Sequence, residues 1–248
     1  DKLDSLHELT MIRSNLEREL NKNLYQLGAL VAYISINPEI DKSEFNVFAM
    51  NLFRQPSHIS SLGAAPDMVV KYVYPFEANK AAIGLDYAKR PNQREMAFKV
   101  KELGKQVVAG PLMTVQGRYE IIGRAPVYYA EDNHDRKAGS FWGLVSILID
   151  ANKLFEAAGL YNSKYAISLR GKDAKGAEGD VLLGNPDAFI EENALLFVEV
   201  PGGSWQIAAE LKHLADDTTR EIVVIRLIGL FLCLAVLAFA VIRLRYLE

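Results

Sequence analysis

Few residues of this sequence lie in patterns that could do chemistry. Residues 131–135 (EDNHD) resemble a metal-binding loop only in composition; their spacing does not match an EF-hand, and we interpret them as a solvated loop. The paired carboxylates at 191–192 lie in a polar stretch, and the single cysteine, Cys233, lies in an apolar run. Because the sequence has no nucleophile elbow, P-loop or H-E-x-x-H motif, it predicts no catalytic residue, no metal ligand and no cofactor.

The start of a predicted helix at 92–103 is a candidate for ligand binding. Gln93 and Arg94 lie in its first turn, where free backbone N–H groups favour anions. Gln93 is therefore a candidate ligand-binding residue, and an exposed first turn without a ligand is the alternative. Arg94 is interpreted as structural, since an ion pair with the region of Asp86 would explain it.

Short segments rich in β-branched and aromatic residues surround this helix. Strands are predicted at 68–74, 106–108, 112–115, 119–129, 140–149, 165–170, 181–183, 194–200 and 204–210. Four tyrosines lie on or beside the strands that would form a pocket: Tyr72, Tyr74, Tyr119 and Tyr128. We interpret most of them as core aromatics with a hydroxyl group at the edge. Residues 59–66 are interpreted as a short bridge, and Pro126 is expected to interrupt its strand.

Residues 1–36 have the pattern of one long helix. Apolar residues recur at spacings of three and four from Leu9 to Ile34, which places them on one stripe. Pro38 ends the helix, because the residue before a proline avoids the helical region. At 1.5 Å per residue the helix would be about 50 Å long, which suits a stalk that dimerises along the stripe. The alternative is a helix that packs against its own domain.

Residues 222–242 are predicted to cross a membrane. Apart from Arg226 this run is uncharged, and it is long enough for a helix to span the hydrocarbon core, which takes roughly 20 apolar residues. A buried core helix is the alternative. Arg243 and Arg245 follow the run, so the positive-inside rule places the C-terminus in the cytoplasm and residues 1 to about 220 outside it. Since an extracytoplasmic domain needs a signal or an earlier span, we expect the chain to belong to a longer protein.

The composition agrees with a packed globular part and excludes other classes. Hydrophobic residues make up 50% of the chain and charged residues 24%, as in ordinary globular domains. The net charge of −3 argues against a basic surface that binds nucleic acid. Helices come first and short strands with tight turns follow, without a βαβ alternation. The predicted fold class is therefore α+β with antiparallel sheets.

A series of segments between residues 72 and 155 is shared with a known family. In order they are YVYPFEANKAAIGLDY at 72–87, NQREMAFKVKELGKQVVAGPLMTVQG at 92–117, APVYY at 125–129 and GLVSILIDANKLF at 143–155. Together they resemble the CHASE family, the extracytoplasmic sensory domains of bacterial and plant receptors, and the similarity extends from about 38 to about 211. The resemblance implies a long N-terminal helix, two PAS-like subdomains, flanking membrane spans and a cytoplasmic histidine kinase or nucleotide cyclase.

The resemblance also implies a ligand site in the first PAS-like subdomain. Plant cytokinin receptors of this family use an aspartate, a leucine and a threonine, and the matching positions here are Gln93, Val115 and Arg124. This sequence is one residue shorter between the Gly-Pro turn and the P-V-Y element. An arginine in place of a small hydroxyl would fill much of an adenine pocket, and its fixed charge suits a carboxylate or phosphate, so an anion is expected instead of a cytokinin. The candidate ligand-binding residues are Gln93, Arg124, Val115, Tyr74, Ala109 and Tyr128.

The predicted organisation follows from these elements. Residues 1–37 form a stalk and dimerisation helix, 38–130 a membrane-distal helix and PAS-like subdomain, 131–214 a membrane-proximal PAS-like subdomain, and 222–242 a transmembrane helix. We predict a non-enzymatic ligand-sensing module in the cell inner membrane, with its sensing part periplasmic or extracellular. It would form a homodimer through the N-terminal helix and pass a conformational change to a cytoplasmic histidine kinase or diguanylate cyclase. The alternatives are a membrane-anchored interaction or structural module without a small ligand, and a surface-anchored enzyme.

Overall fold

The computed structural model describes residues 2–55, 57–114, 117–132, 137–211 and 226, and it has the predicted α+β architecture. The helices are α1 (Lys2–Ile36), α2 (Lys42–Phe53), α3 (Phe76–Asn79), α4 (Pro91–Leu103) and α5 (Ala151–Ala157). The strands are β1 (Ile59–Pro66), β2 (Tyr72–Tyr74), β3 (Val107–Met113), β4 (Tyr119–Tyr128), β5 (Phe141–Asp150), β6 (Tyr165–Arg170), β7 (Val181–Leu183), β8 (Ala194–Val200) and β9 (Gly203–Leu211). The long N-terminal helix and the two antiparallel sheets predicted from the sequence are confirmed.

The apolar stripe of α1 packs against the chain's own sheets. Its leucines and isoleucines from Leu9 to Ile34 are buried, and the helix contacts β4, β5, β8 and α5. The helix therefore packs against its own domain, which was the alternative to a stalk. The stripe is covered by this packing and is not available to a second chain. The opposite face of α1 exposes Met11, Tyr25 and Ile36.

The first sheet has the order β2-β1-β5-β4-β3, with all neighbours antiparallel. Its central strand is β5, which the sequence indicated as the clearest buried strand; Ile147 lies opposite Leu62 on one side and Gly123 on the other. The predicted division at residue 130 falls before β5, whereas the structure pairs β5 with β1 and β4, so the change of sheet comes at α5. The domain assignment by function stays a prediction.

The second sheet has the order β7-β6-β9-β8. Its strands β8 and β9 form a hairpin in which Val198 pairs with Trp205. Tyr119 connects the two sheets, because its hydroxyl group donates to the carbonyl oxygen of Leu182 at 3.2 Å. Partial burial raises the pKa of the Tyr119 phenol, so the hydroxyl keeps its proton for this bond.

The interpretation of residues 59–66 as a bridge is wrong, because they form β1. The segment ISSLGAAP has one β-branched residue and several small ones, so it lacks the composition on which strand prediction depends. Its small residues are needed between β2 and β5: a Cβ added to Gly63 would lie 3.0 Å from Ser146 Oγ. The strand is therefore set by packing between its neighbours and not by local propensity.

Pro126 does not interrupt β4, contrary to the prediction. It pairs with Leu144 of β5, and β3 starts only at Val107, opposite Arg124. Pro126 thus lies where β4 has one neighbouring strand, a position that tolerates a residue without an N–H group.

No helix among the described residues is both long and apolar enough to cross a bilayer. Apart from Arg226, the predicted span at 222–242 lies outside the described residues. The transmembrane helix stays a prediction.

The contact between α1 and β4 gives a first testable expectation. A Cβ at Gly123 would meet Leu24 Cδ2 and would lie 2.7 Å from Ile147 Cγ2, so Gly123→Ala should overpack this core and lower the free energy of unfolding by about 1–3 kcal/mol. Gly28→Ala is the matched control, because nothing lies within 4 Å of its added Cβ. It should raise the stability by about 0.5–1 kcal/mol through helix propensity.

Urea unfolding of the full chain measures both effects. In a Leu24→Ala background the cost of Gly123→Ala should shrink, since the substitution at Leu24 removes one of the clashing groups. An equal cost in both backgrounds would contradict this packing.

Candidate functional site

Strand β4 exposes its two faces to different surroundings. On one face Ile121, Ala125 and Val127 join the core that includes α1. On the other face Ile122 and Arg124 line a cavity. Because successive side chains of a strand alternate between faces, the placement of Arg124 at the cavity follows from the same register that packs β4 on α1.

The cavity lies over a row of small residues that crosses the sheet. Arg124 lies opposite Ser146 of β5, which lies opposite Gly63 of β1, which lies opposite Val73 of β2. Paired residues of an antiparallel sheet point to the same side, so the long side chain of Arg124 shares this face with serine and glycine. The small neighbours leave the room that the guanidinium group and the cavity need.

The cavity is small and closed mainly by apolar groups. Its volume is about 50 Å³. Its apolar walls are Val70, Val73, Ala82, Leu85, Ile122 and Leu148, and its polar groups are Ser61, Tyr87, Gln93, Thr114, Arg124 and Ser146. A pocket for a drug-sized ligand occupies about 300–1,000 Å³, so this cavity excludes a purine in the present conformation.

Arg124 is almost completely buried, with 2% of its surface exposed. Its Nη2 donates to Gln93 Oε1 at 2.8 Å, and its guanidinium carbon lies 4.8 Å from the centre of the Tyr87 ring. Its Nε is buried and has no hydrogen-bond partner among the described residues, and no carboxylate of that part of the chain forms an ion pair with it. The cavity therefore contains a permanent positive charge that the described residues leave partly uncompensated.

Gln93 connects this cavity with a wider groove. It lies in the first turn of α4, which starts with Pro91, and it lines both the cavity and a groove of about 800 Å³. The groove runs between α4, the end of β3 and the loop that contains Lys172 and Asp173. Since its Oε1 accepts from Arg124, the amide of Gln93 stands between the guanidinium group and the groove. The predicted first-turn position of Gln93 is thus found beside the one buried arginine of the described residues.

Residues 66–183 match the family model of the CHASE domain. This part of the chain is therefore similar to a CHASE domain. The match confirms the resemblance to the CHASE family that the segments between 72 and 155 indicated. No curated protein matches the chain.

Solved structures share the fold of the chain. An extracellular ligand-binding receptor from Desulfohalobium retbaense has a TM-score of 0.61 at 16% identity over 82% of this chain, which spans 40% of that receptor. The ligand-binding domain of the Pseudomonas aeruginosa amino-acid chemoreceptor PctC, in complex with GABA, has a TM-score of 0.58 at 15% identity over 84% of this chain and 99% of that domain. The ligand-binding domain of the Pseudomonas fluorescens chemoreceptor CtaA, in complex with L-serine, has a TM-score of 0.56 at 13% identity, covering 85% and 98%. At this identity the likeness shows the fold.

The structure brings two of the six predicted site residues together, Gln93 and Arg124. Ala109 is buried on the edge strand β3, opposite Ile122 of β4. It is not part of the cavity wall. Val115 lies outside the described residues. The ligand role of each predicted residue stays a prediction.

The two predicted tyrosines lie elsewhere in the structure. Tyr74 packs edge-on against Phe53 at 5.3 Å and lines an apolar groove beside α2. Tyr128 packs edge-on against Phe141 at 5.9 Å. Neither lines the cavity of Arg124.

Sequence reasoning missed three residues that shape the cavity: Ser61, Gly63 and Ser146. They were missed because residues 59–66 were not recognised as a strand and because Ser146 lies in a run taken as wholly buried. One signal could have found them. Ser61 and Gly63 alternate with Leu62 and Ala64, which indicates one core face and one face of small residues.

The loop at 131–135, for which the sequence predicted no metal site, is only partly described. Glu131 and Asp132 are exposed, and residues 133–136 lie outside the described residues. Within the described ranges no group of three or more potential ligands could hold a metal ion.

The uncompensated charge predicts that Arg124 destabilises the protein without a ligand. Replacing a buried charge by an apolar side chain of similar length removes its desolvation cost, so Arg124→Met should raise the free energy of unfolding by about 1 kcal/mol. Arg170→Met is the matched control. Arg170 Nε donates to Gln206 Oε1 at 2.7 Å and the guanidinium group lies 4.3 Å from the Phe189 ring, but Arg170 is only half-buried.

Because water still reaches Arg170, its replacement should give no such gain. Urea unfolding without added anions compares the two variants. A larger loss of stability for Arg124→Met than for Arg170→Met would show that the buried charge is already compensated.

Proposed function

We propose that this chain is the extracytoplasmic ligand-sensing part of a transmembrane receptor, and that Arg124 anchors a small anion in the cavity. The observation that supports this most is the burial of Arg124 without a carboxylate partner among the described residues. A buried guanidinium group is expected where a carboxylate or phosphate is recognised, because its planar set of donors matches these anions. An anion would supply the charge that the cavity lacks.

A ligand at Arg124 could change the contacts between the two sheets. Val107, opposite Arg124, precedes Val108, whose N–H group donates to the carbonyl oxygen of Pro201 in the β8–β9 turn at 2.8 Å. The carboxylate of Asp173 accepts from the N–H group of Gly110 at 2.8 Å. Strand β3 is thus bonded to the second sheet, whose last strand, β9, precedes the predicted span. We propose that residues 205–220 carry the shift into that span, and a ligand acts only by its difference in affinity for two states.

The output and the assembly are part of the same proposal. The output domain would be a cytoplasmic histidine kinase or diguanylate cyclase joined to the span at 222–242 in the cell inner membrane. A homodimer through the N-terminal helix would use the exposed face with Met11, Tyr25 and Ile36, because the predicted stripe is covered.

A second candidate function is an interaction module without a small ligand. The groove of about 190 Å³ beside α2, lined by Val47, Met50 and Phe76, favours it. Val47 is 55% exposed and Met50 is 37% exposed, so the groove presents neighbouring apolar side chains to solvent. The cavity with its buried charge favours the ligand-sensing function instead.

Thermal unfolding of the full chain with a panel of small acids, amino acids and adenine derivatives tests the proposed function. We expect at least one small carboxylate to raise Tm, since a ligand at a hundred times its Kd stabilises the folded state by about 2.7 kcal/mol. Arg124→Met should remove this shift, and Arg170→Met should keep it. A shift of equal size in Arg124→Met would place the anion elsewhere.

Gln93→Glu tests the geometry of the anchor separately. The new carboxylate would lie where Gln93 Oε1 now accepts from Arg124 at 2.8 Å and would form an ion pair with it. We expect the unliganded protein to become more stable and the affinity for the anion to fall at least tenfold by isothermal titration calorimetry. Gln93→Met, which adds no charge, should keep most of the affinity. Unchanged anion binding in Gln93→Glu would count against Arg124 as the anchor.

A further inference from the structure

The cavity has charge of one sign. Arg124 is the one charged side chain among the described residues that line it, and its other polar groups are hydroxyl groups and the amide of Gln93. An entering carboxylate is therefore neutralised by Arg124. An ammonium group on the same ligand would meet no opposite charge, and it would be repelled by the guanidinium group in a site of low dielectric constant.

Two carboxylates near the cavity are engaged by other cations. Glu120 precedes Ile122 on the cavity face of β4, but its Oε1 lies 2.9 Å from Arg118 Nε and also accepts from the Ser60 hydroxyl. Asp86 lies 3.1 Å from Lys89 Nζ. The hydrogen bond from Lys89 holds the pKa of the Asp86 carboxyl below its usual value, so this carboxylate is ionised and paired at neutral pH.

Two further carboxylates line the groove and not the cavity. Glu95 lies 3.6 Å from Lys175 Nζ, and Asp173 accepts from the N–H group of Gly110. Neither is among the residues of the cavity wall. Residues 115 and 116, which follow Thr114 of the wall and lie outside the described residues, are valine and glutamine. The sequence therefore adds no carboxylate at this point.

The size and the walls of the cavity restrict the rest of the ligand. A volume of about 50 Å³ holds about three to five waters at 10–15 Å³ each. Side chains such as Val70, Leu85 and Leu148 make most of the wall apolar, and Ser61 and Ser146 add hydroxyl groups. These surroundings suit a body of two to four carbons, with or without a hydroxyl group.

We propose that the cavity binds short monocarboxylates that lack an ammonium group, and that it discriminates against amino acids. This inference rests on the proposed function and names the ligand class of the same site. Arg124 would bind the carboxylate, and the apolar wall would contact the carbon chain. A serine hydroxyl group would accept a hydrogen bond from a 2-hydroxy group of the ligand. The fold-related PctC and CtaA domains are solved with amino acids, so the difference would lie in the residues of the wall and not in the fold.

Propionate, L-lactate and L-alanine test this class directly. They share a three-carbon carboxylate and differ at C2 by a hydrogen, a hydroxyl group or an ammonium group. Isothermal titration calorimetry with the full chain should give Kd values for propionate and L-lactate at least tenfold lower than for L-alanine. Arg124→Met should abolish binding of both preferred acids, and Arg170→Met should retain it.

The outcomes separate the two proposals. If L-alanine binds as tightly as L-lactate, and Arg124→Met abolishes both, the anion anchor stands and the discrimination against ammonium is overturned. If none of the three acids binds at 100 mM and the panel of anions gives no shift of Tm, both the ligand class and the anionic part of the proposed function are overturned.

Discussion

An arginine side chain keeps its charge inside a protein, because its pKa exceeds about 12. Burial of Arg124 therefore removes a permanent cation from bulk water, and the amide of Gln93 and the ring of Tyr87 replace only part of its hydration. The unliganded state carries this cost. An anion in the cavity would remove it, so the same charge that costs stability in the empty protein would supply affinity for the proposed ligand.

The register of β4 explains how the fold holds such a charge in place. Gly123 faces α1 so closely that an added Cβ would meet Leu24, and its neighbour Arg124 faces the cavity. A shift of β4 by one residue would bring the guanidinium group of Arg124 into the core beside α1. It would also move Gly123, which now packs against Leu24, to the cavity face. The packing of the long helix thus fixes the position of the charge, although α1 does not line the cavity.

The sequence predicted the parts of this arrangement that have a strong local signal. The stripe from Leu9 to Ile34, the apolar run of β5 and the helix after Pro91 were found from periodicity and composition, and the family resemblance indicated Gln93 and Arg124. What it missed depends on contacts between distant segments. Strand β1 has small residues because it lies between β2 and β5, and no window of sequence contains its neighbours. The partner of the α1 stripe was also undecided, since a stripe shows that something covers it and not what does.

The distribution of charge around the cavity shows why a shared fold does not determine the ligand. The row Val73–Gly63–Ser146–Arg124 crosses four strands, and its small members make the space that the arginine lines. Glu120 lies four residues before Arg124 on the same face of β4, and its carboxylate pairs with Arg118 and not with Arg124. If the Glu120 carboxylate lined the cavity, it would compensate the positive charge of Arg124. A ligand ammonium group would then also have a carboxylate partner. Since the described wall has the cation alone, the proposed discrimination against ammonium groups would depend on the pairing of Glu120 with Arg118, a detail that the sheet topology leaves open.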